Sequence, residues 1–413
     1  MIEDLSSEIP AHTVATYPFD DTCADVILRT SDNIDFYVYK IVLALASPFF
    51  KDMFSLIQPT STNESHHIVP FTESGSTIEH ILQLVYPISE PPPPTTLNMV
   101  DNVLEASIKY QIEKTTAKMK QALLTFVDSE PVAVFAIACR LMLEDEAMVA
   151  ARACWRAAGM MGSNHPGHVF SSAQSSGFPQ EMERISAGPY FRLLRYVKNR
   201  DESAPFHLQP PPASGIPAED GGTPPSSWRG TGADVILESR DGIQLPAHMN
   251  ILSLVSAGEM LGKGDNRVSA EGGLPIIRLD EEFTAIRTLL RLCYPFPEDG
   301  GLIDLQHLAR IMATKYNIPK AASLAQDLMG RQMEENPLRV YLIAKEYGWE
   351  TEVKTATREC TNMVDSERFY GMYAPEMETC SARVYYDLLE CCLRERVTLI
   401  RRKRYEKLRH AIS

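Results

Sequence analysis

The chain has no apolar run long enough to cross a bilayer. Its longest apolar stretches, around 41–50 and 132–143, fall short of the roughly 20 residues a spanning helix needs, and the second is interrupted by Arg140. Basic residues are in deficit too. Lys and Arg number 40 against 54 Asp and Glu, a net charge of −14, which argues against nucleic acid or an anionic membrane as the main partner. The eight cysteines (Cys23, Cys139, Cys154, Cys293, Cys360, Cys380, Cys391 and Cys392) contain no CxxC pair. The vicinal Cys391 and Cys392 cannot form an ordinary bridge, so reduced thiols are expected. The first sixteen residues carry Glu3, Asp4 and Glu8 and neither the basic nor the apolar segment of a secretory signal. An intracellular protein, cytoplasmic or nuclear, is expected, and the sequon Asn63-Glu64-Ser65 is then a chance match.

Signatures of catalysis and metal binding are missing as well. There is no nucleophile elbow, HExxH or dinucleotide fingerprint. Gly258 to Gly264 has three residues where a phosphate loop has four, and glycine where that loop places its magnesium-ligating hydroxyl. Cys154, His165 and His168 lack a fourth ligand, and His66 and His67 open a strand, where neighbours point to opposite faces. Glu144-Asp145-Glu146 is an acidic turn or helix face, since adjacent helical residues do not face each other. No enzyme activity, cofactor or metal is expected.

Proline, by contrast, is abundant, at 28 residues. Residues 199–230 hold seven prolines, four glycines and four serines in 32 positions without apolar periodicity, and read as a linker. On either side of it the sequence repeats. Ala24-Asp25-Val26-Ile27-Leu28 returns as Ala233-Asp234-Val235-Ile236-Leu237, offset by 209. Val85-Tyr86-Pro87 meets Cys293-Tyr294-Pro295 at 208, and Lys109-Tyr110-Gln111-Ile112 meets Lys315-Tyr316-Asn317-Ile318 at 206. Pro131 meets Pro337, and Arg152-Ala153-Cys154 meets Arg358-Glu359-Cys360, both at 206. A collinear order with a slowly drifting offset is what duplication followed by small deletions produces.

Each copy opens on a hairpin, turned at Ser31-Asp32-Asn33 in one and Asp241-Gly242 in the other. A helix follows, with Ile41, Leu43, Leu45 and Phe49 in the first copy and Ile251, Leu252 and Leu254 in the second. Short strands come next at 68–71 and 275–279. A capping box, Ser76 to Glu79, then starts a helix with Ile78, Ile81, Leu82 and Val85 on one face, matched by Phe283, Ile286, Leu289, Leu290 and Cys293. Tyr-Pro ends it in both copies. Helical pairs are expected over 103–126 and 305–333, and helix again to about 197 and 400. The fold class is α+β, a small sheet with helices gathered on it, built twice.

The run Ala24 to Leu28, then Tyr39 to Ala44, Ser47-Pro48-Phe49-Phe50 through Met53-Phe54, Val85-Tyr86 and Ala106 to Tyr110, resembles the BTB/POZ domain in order and spacing. Tyr39 stands where that family usually has histidine. The second copy keeps Asp234 and His248, has Met249 in place of Lys40, and replaces Ser47 to Lys51 with Ser256 to Met260. Tandem divergent proteins of this kind are similar to uncharacterised fungal BTB proteins. The organisation is therefore a flexible N-terminus 1–17, a BTB/POZ-like domain 18–127, a helical extension 128–198 and the linker 199–230. A divergent BTB/POZ-like domain 231–333, a second extension 334–400 and a basic tail 401–413 complete it.

The resemblance implies a protein-interaction module with other proteins as partners, acting by BTB self-association or by docking cullins or co-repressors. It places Asp25 and Lys40 at the charged pair near the family's dimer interface, and Tyr39, Asp234 and His248 at the matching positions, as interface candidates. The expected function is a non-enzymatic scaffold in which copy one pairs with copy two within the chain. A linker of 32 residues reaches about 31 Å, for an effective concentration on the order of millimolar. Two alternatives stay open: a substrate adaptor of a cullin-type ubiquitin ligase, and a transcriptional regulator acting through co-repressors. The segment 394–409 carries eight basic residues against two acidic ones. Within it, Arg401, Arg402, Lys403 and Arg404 form a patch that reads either as a solvated helix end or as an import or acidic-partner signal.

Overall fold

The computed structural model describes residues 12–56, 67–160, 178, 180–199, 206–210, 232–254, 267–268, 273–294, 319–364 and 366–412. The chain divides into two compact units, Met1–Ile185 with Tyr196–Leu208, and Ser186–Arg195 with Gln209–Ser413. Both are mixtures of helices with a small sheet.

The first unit is built on strands β1 (Thr13–Val14), β2 (Val26–Arg29), β3 (Ile34–Val38) and β4 (His67–Pro70), in the order β1-β3-β2-β4. β2 and β3 pair antiparallel with Val26 opposite Val38 and Leu28 opposite Phe36, while β1 and β4 add in parallel. Val26, Ile27 and Leu28 are all buried, which is the pattern of a strand covered on both faces. The hairpin turns at Asn33, whose φ of 59° suits asparagine better than any branched residue. The Thr30 hydroxyl accepts the Ile34 N–H at 3.1 Å and so closes the turn.

Helices α1 (Lys40–Ala46), α2 (Pro48–Ser55), α3 (Gly75–Val85), α4 (Leu97–Lys109) and α5 (Glu113–Leu124) complete this part of the unit. Phe50, Phe71 and Tyr110 form an aromatic core, with the Phe71 and Tyr110 rings 4.8 Å apart. The expected capping box at Ser76 does not form. Ser76 lies inside α3, which starts at Gly75 without a side-chain bond from its own cap residue. The carboxylate of Asp32 in the hairpin turn takes the Gly75 N–H instead, at 2.9 and 3.1 Å. A charge delivered from a distant turn supplies what the local serine would have supplied, with the helix dipole in its favour.

The extension of this unit comprises α6 (Pro131–Arg140) and α7 (Glu144–Met160), then a 3₁₀ turn at Gln180–Arg184. The three acidic residues 144–146 make up the first turn of α7. Asp101 on α4 is buried, and Arg140 and Arg184 both pair with it. The same two arginines reach Glu105 at 2.8 and 3.4 Å. This cluster ties the end of α6 and the 3₁₀ turn to the body of the unit. The linker expected over 199–230 is anchored at its start, because Phe206 and Leu208 are buried and Phe206 packs on Phe135 and Tyr196. Two large apolar side chains among the prolines suffice to hold that segment down.

The second unit carries β5 (Val235–Glu238), β6 (Gln244–Ala247), β7 (Arg267–Val268) and β8 (Ile276–Arg278) in the order β6-β5-β8-β7. β5 and β6 form the hairpin turned at Gly242, φ 80°, and β8 runs parallel to β5. Its helices are α9 (Met249–Leu254), α10 (Phe283–Cys293), α11 (Pro319–Glu335), α12 (Pro337–Tyr347), α13 (Glu350–Met363), α14 (Glu367–Gly371) and α15 (Ala382–Ile412). A short 3₁₀ helix, Pro375–Glu378, precedes α15. Helix α8 (Ala187–Asn199), although it precedes the linker, places its residues up to Arg195 in this second unit. The basic tail expected to stand apart from 401 onward is the continuation of α15.

Local bonds recur between the units. Asp241 accepts the Phe283 N–H at the start of α10 at 2.9 Å, as Asp32 does for α3. The Ser239 hydroxyl closes the second hairpin onto Ile243 as Thr30 closes the first onto Ile34. Between α6 and α7 the chain turns through Met142, φ 55°, with the Leu143 N–H on the Ala138 carbonyl at 2.8 Å. Between α12 and α13 it turns through Gly348, φ 72°, with the Trp349 N–H on the Ala344 carbonyl at 2.8 Å. Residues 258–264, His66, His165 and His168 lie outside the described residues. Among those described, no helix is long and apolar enough to cross a membrane, and no three His, Cys, Asp or Glu side chains gather as a metal would require.

Candidate interaction surface

The corner where β3 runs into α1 holds the interface candidates of the first unit. Asp25, just before β2, accepts the main-chain N–H of Lys40 on Oδ1 at 2.7 Å. The expected charge pair is thus a helix cap: the carboxylate sits at the positive end of α1 and has a backbone partner. The Lys40 ammonium turns elsewhere, 5.8 Å above the ring of Phe54. Tyr39 is exposed and its hydroxyl donates to Asp21 at 2.7 Å, which lowers the Asp21 carboxyl below its ordinary value and raises the phenol. The Tyr39 N–H donates to the hydroxyl of Tyr86 at 2.8 Å. Burial pushes that hydroxyl's pKa to about 12.

The second unit builds the same corner without the lysine. Asp234 accepts the Met249 N–H at 2.7 Å, and the His248 N–H donates to the Tyr294 hydroxyl at 2.7 Å. Met249 therefore leaves Asp234 with its partner, because the partner is main chain. Tyr86 and Tyr294 belong to the repeated Tyr-Pro pair, where sequence assigned a role only to the proline. The tyrosine is the acceptor for the strand-to-helix corner.

On α1, Leu43 is buried while Ile41 is 65% and Leu45 82% exposed. Ile41 and Leu45 are one turn apart and so share a face that looks away from the core. Phe49, at the start of α2, is also partly exposed, as are Val14 on the edge strand β1 and Tyr17 just after it. β1 borders β3, and β3 leads directly into α1. Exposed apolar side chains grouped in this way are a candidate surface for burial against another protein. At the position of Ile41, α9 has the exposed Asn250. The backbone of Arg401 to Arg404 is helical, and their side chains lie outside what is described.

Sequence reasoning missed one further set of matching residues. Glu181-Met182-Glu183, Ser186-Ala187, Tyr190 and Leu193-Leu194 return as Glu376-Met377-Glu378, Ser381-Ala382, Tyr385 and Leu388-Leu389 at an offset of 195. The other matches sit at 206 to 209, so this one was out of register by the eleven extra residues that the first half carries upstream.

Residues 18–126 match the BTB/POZ domain family, whose members mediate protein–protein association, including self-association. No curated protein matches the chain.

Proposed function

We propose that the chain is a non-enzymatic interaction scaffold whose first unit associates through the outward face of α1, and whose second unit is a diverged copy of the first. The exposure of Ile41 and Leu45 on a single helical face carries the first statement. Fully burying one such side chain contributes about 1.5–3 kcal/mol, so sealing the exposed parts of both yields roughly 2–5 kcal/mol per chain, counted twice in a symmetric pair. The recurring caps Asp25 and Asp234, Asp32 and Asp241, and the phenols Tyr86 and Tyr294, support the second.

The partner best matched to this face is the same face of a second chain. The second unit offers Asn250 where the first has Ile41 and keeps a leucine, Leu254, where the first has Leu45, so its corner is the weaker apolar match, and pairing of the two sheet domains within one chain loses ground to pairing between chains. The cullin-adaptor reading turns on a loop, 55–64, that is outside the described residues beyond Leu56. Co-purification of two differently tagged copies tests the proposal. Wild-type chains capture each other, and Ile41→Asp/Leu45→Asp chains do not. Capture undiminished by that double substitution contradicts the reading.

A further inference from the structure

The repeat at offset 195 is not only a sequence match, because the structure sets its two copies against each other. Ser186 and Ser381, the same position in each, form an antiparallel bridge. Beside it the Ala187 N–H donates to the Cys380 carbonyl at 2.9 Å. Tyr190 and Tyr385, again the same position, are both fully buried with ring centroids 5.7 Å apart in an edge-to-face arrangement. Two residues that each contact their own equivalent mark a local twofold axis, which is the signature of an isologous interface.

One end of this pairing departs from symmetry. Arg192 grips the Glu378 carboxylate with two bonds, at 2.5 and 3.3 Å, and the Tyr373 hydroxyl adds a third at 3.0 Å. The carboxylate lies so close over Gly188 that a Cβ there would collide with it. The positions equivalent to Gly188 and Arg192 in the other copy are Arg383 and Asp387, which pair with each other at 2.9 Å. A second copy of segment 376–389 in place of the first would therefore set Glu378 against Asp387 where Arg192 now stands. The like charge of Asp387 disfavours pairing of the second copy with itself, while Arg192 and Gly188 admit the first copy there.

We infer that segments 181–194 and 376–389 are two copies of one self-pairing element, and that Gly188, Arg192 and Glu378 hold the first copy to the second within a single chain. Residues 186–194 and 376–389 both lie in the second unit, so the contacts seen are internal to it. The inference extends the reading of the chain as a duplication, and concerns a surface separate from α1.

Cross-linking of the full-length chain tests it. Antiparallel bridge partners lie about 4.5–5.5 Å apart at Cα, which suits a disulfide. Ser186→Cys/Ser381→Cys is oxidised mildly, run on denaturing non-reducing gels, and mapped by peptide mass, with each single substitution as the control for Cys380 and the other native thiols. The expected product is one chain closed on itself, independent of any association through α1. Adding Arg192→Glu slows closure roughly tenfold, and adding Glu378→Arg to that restores it. Absence of the cross-link, a cross-link joining two chains, or closure indifferent to Arg192→Glu overturns the inference. A monomeric chain that still closes on itself would count against the α1 proposal alone.

Discussion

Arg140→Met probes the joint between the body of the first unit and its extension. Asp101 is 4% exposed, and burial pushes its pKa above the ordinary value even though Arg140 and Arg184 pull the other way. Arg140 is itself largely buried, whereas Arg184 is half exposed and solvent-screened. Breaking a buried pair by removing one partner costs about 3–5 kcal/mol; with Arg184 left in place we expect roughly 2–3 kcal/mol at pH 7. The pH dependence has a definite sign. A carboxyl whose folded pKa is raised holds its proton more tightly in the folded state, so its charging penalty is absent at low pH and grows as pH rises through the folded value. Loss of Arg140 raises that value further. The deficit of Arg140→Met is therefore greatest at pH 7 and shrinks toward pH 4. Adding Asp101→Leu, which removes the stranded charge, recovers most of it. Urea unfolding followed by far-ultraviolet circular dichroism at the two pH values reads both effects. A deficit below about 0.5 kcal/mol, equal deficits at the two pH values, or a double variant worse than the single one would refute the reasoning.

Two smaller perturbations test the local accounts. Met142 is exposed in a left-handed turn where the second unit has Gly348, so Met142→Gly stabilises the chain by roughly 0.5–1 kcal/mol in thermal unfolding, and a loss of stability contradicts this. Asp32→Ala removes the cap of α3 and costs about 1 kcal/mol at pH 7. The Thr30 hydroxyl and Gly75 N–H bonds outweigh a desolvation penalty and hold the Asp32 carboxyl below its ordinary pKa, so its contribution is complete above that pKa and fades as pH falls through the lowered folded value. A cost that does not diminish at all as pH falls would show that the carboxylate is not the cap.

The parts of this fold legible in the sequence were those fixed by local chemistry. Asp241-Gly242 and Ser31-Asp32-Asn33 marked the two hairpins, Tyr-Pro marked the ends of α3 and α10, and a slowly drifting offset tied Pro131 to Pro337. What escaped were features decided by residues far apart in the chain. Ser76 looked like a helix cap because its sequence context is right, but the Asp32 carboxylate reaches that helix from 43 positions away. Asp25 and Lys40 looked like a charge pair because their side chains have opposite signs, while the bond that forms uses the lysine's backbone. Ile41, Leu43 and Leu45 all read as apolar helix positions. Periodicity cannot say which face meets the core, and only packing separates the buried Leu43 from the open Ile41 and Leu45. The pairing of the two tyrosine-bearing segments escaped for a simpler reason: its offset of 195 lies eleven or more positions from the 206 to 209 of the other matches.

The molar mass of the full-length chain, measured by light scattering over a range of concentrations, tests the central claim most directly. With α1 as the association face, the wild-type mass climbs from 46.2 kDa toward twice that value as concentration rises. Ile41→Asp/Leu45→Asp stays at one chain mass with an unchanged circular dichroism spectrum. A wild-type chain that remains at 46.2 kDa throughout, or a double variant that associates as well as the wild type, contradicts the account.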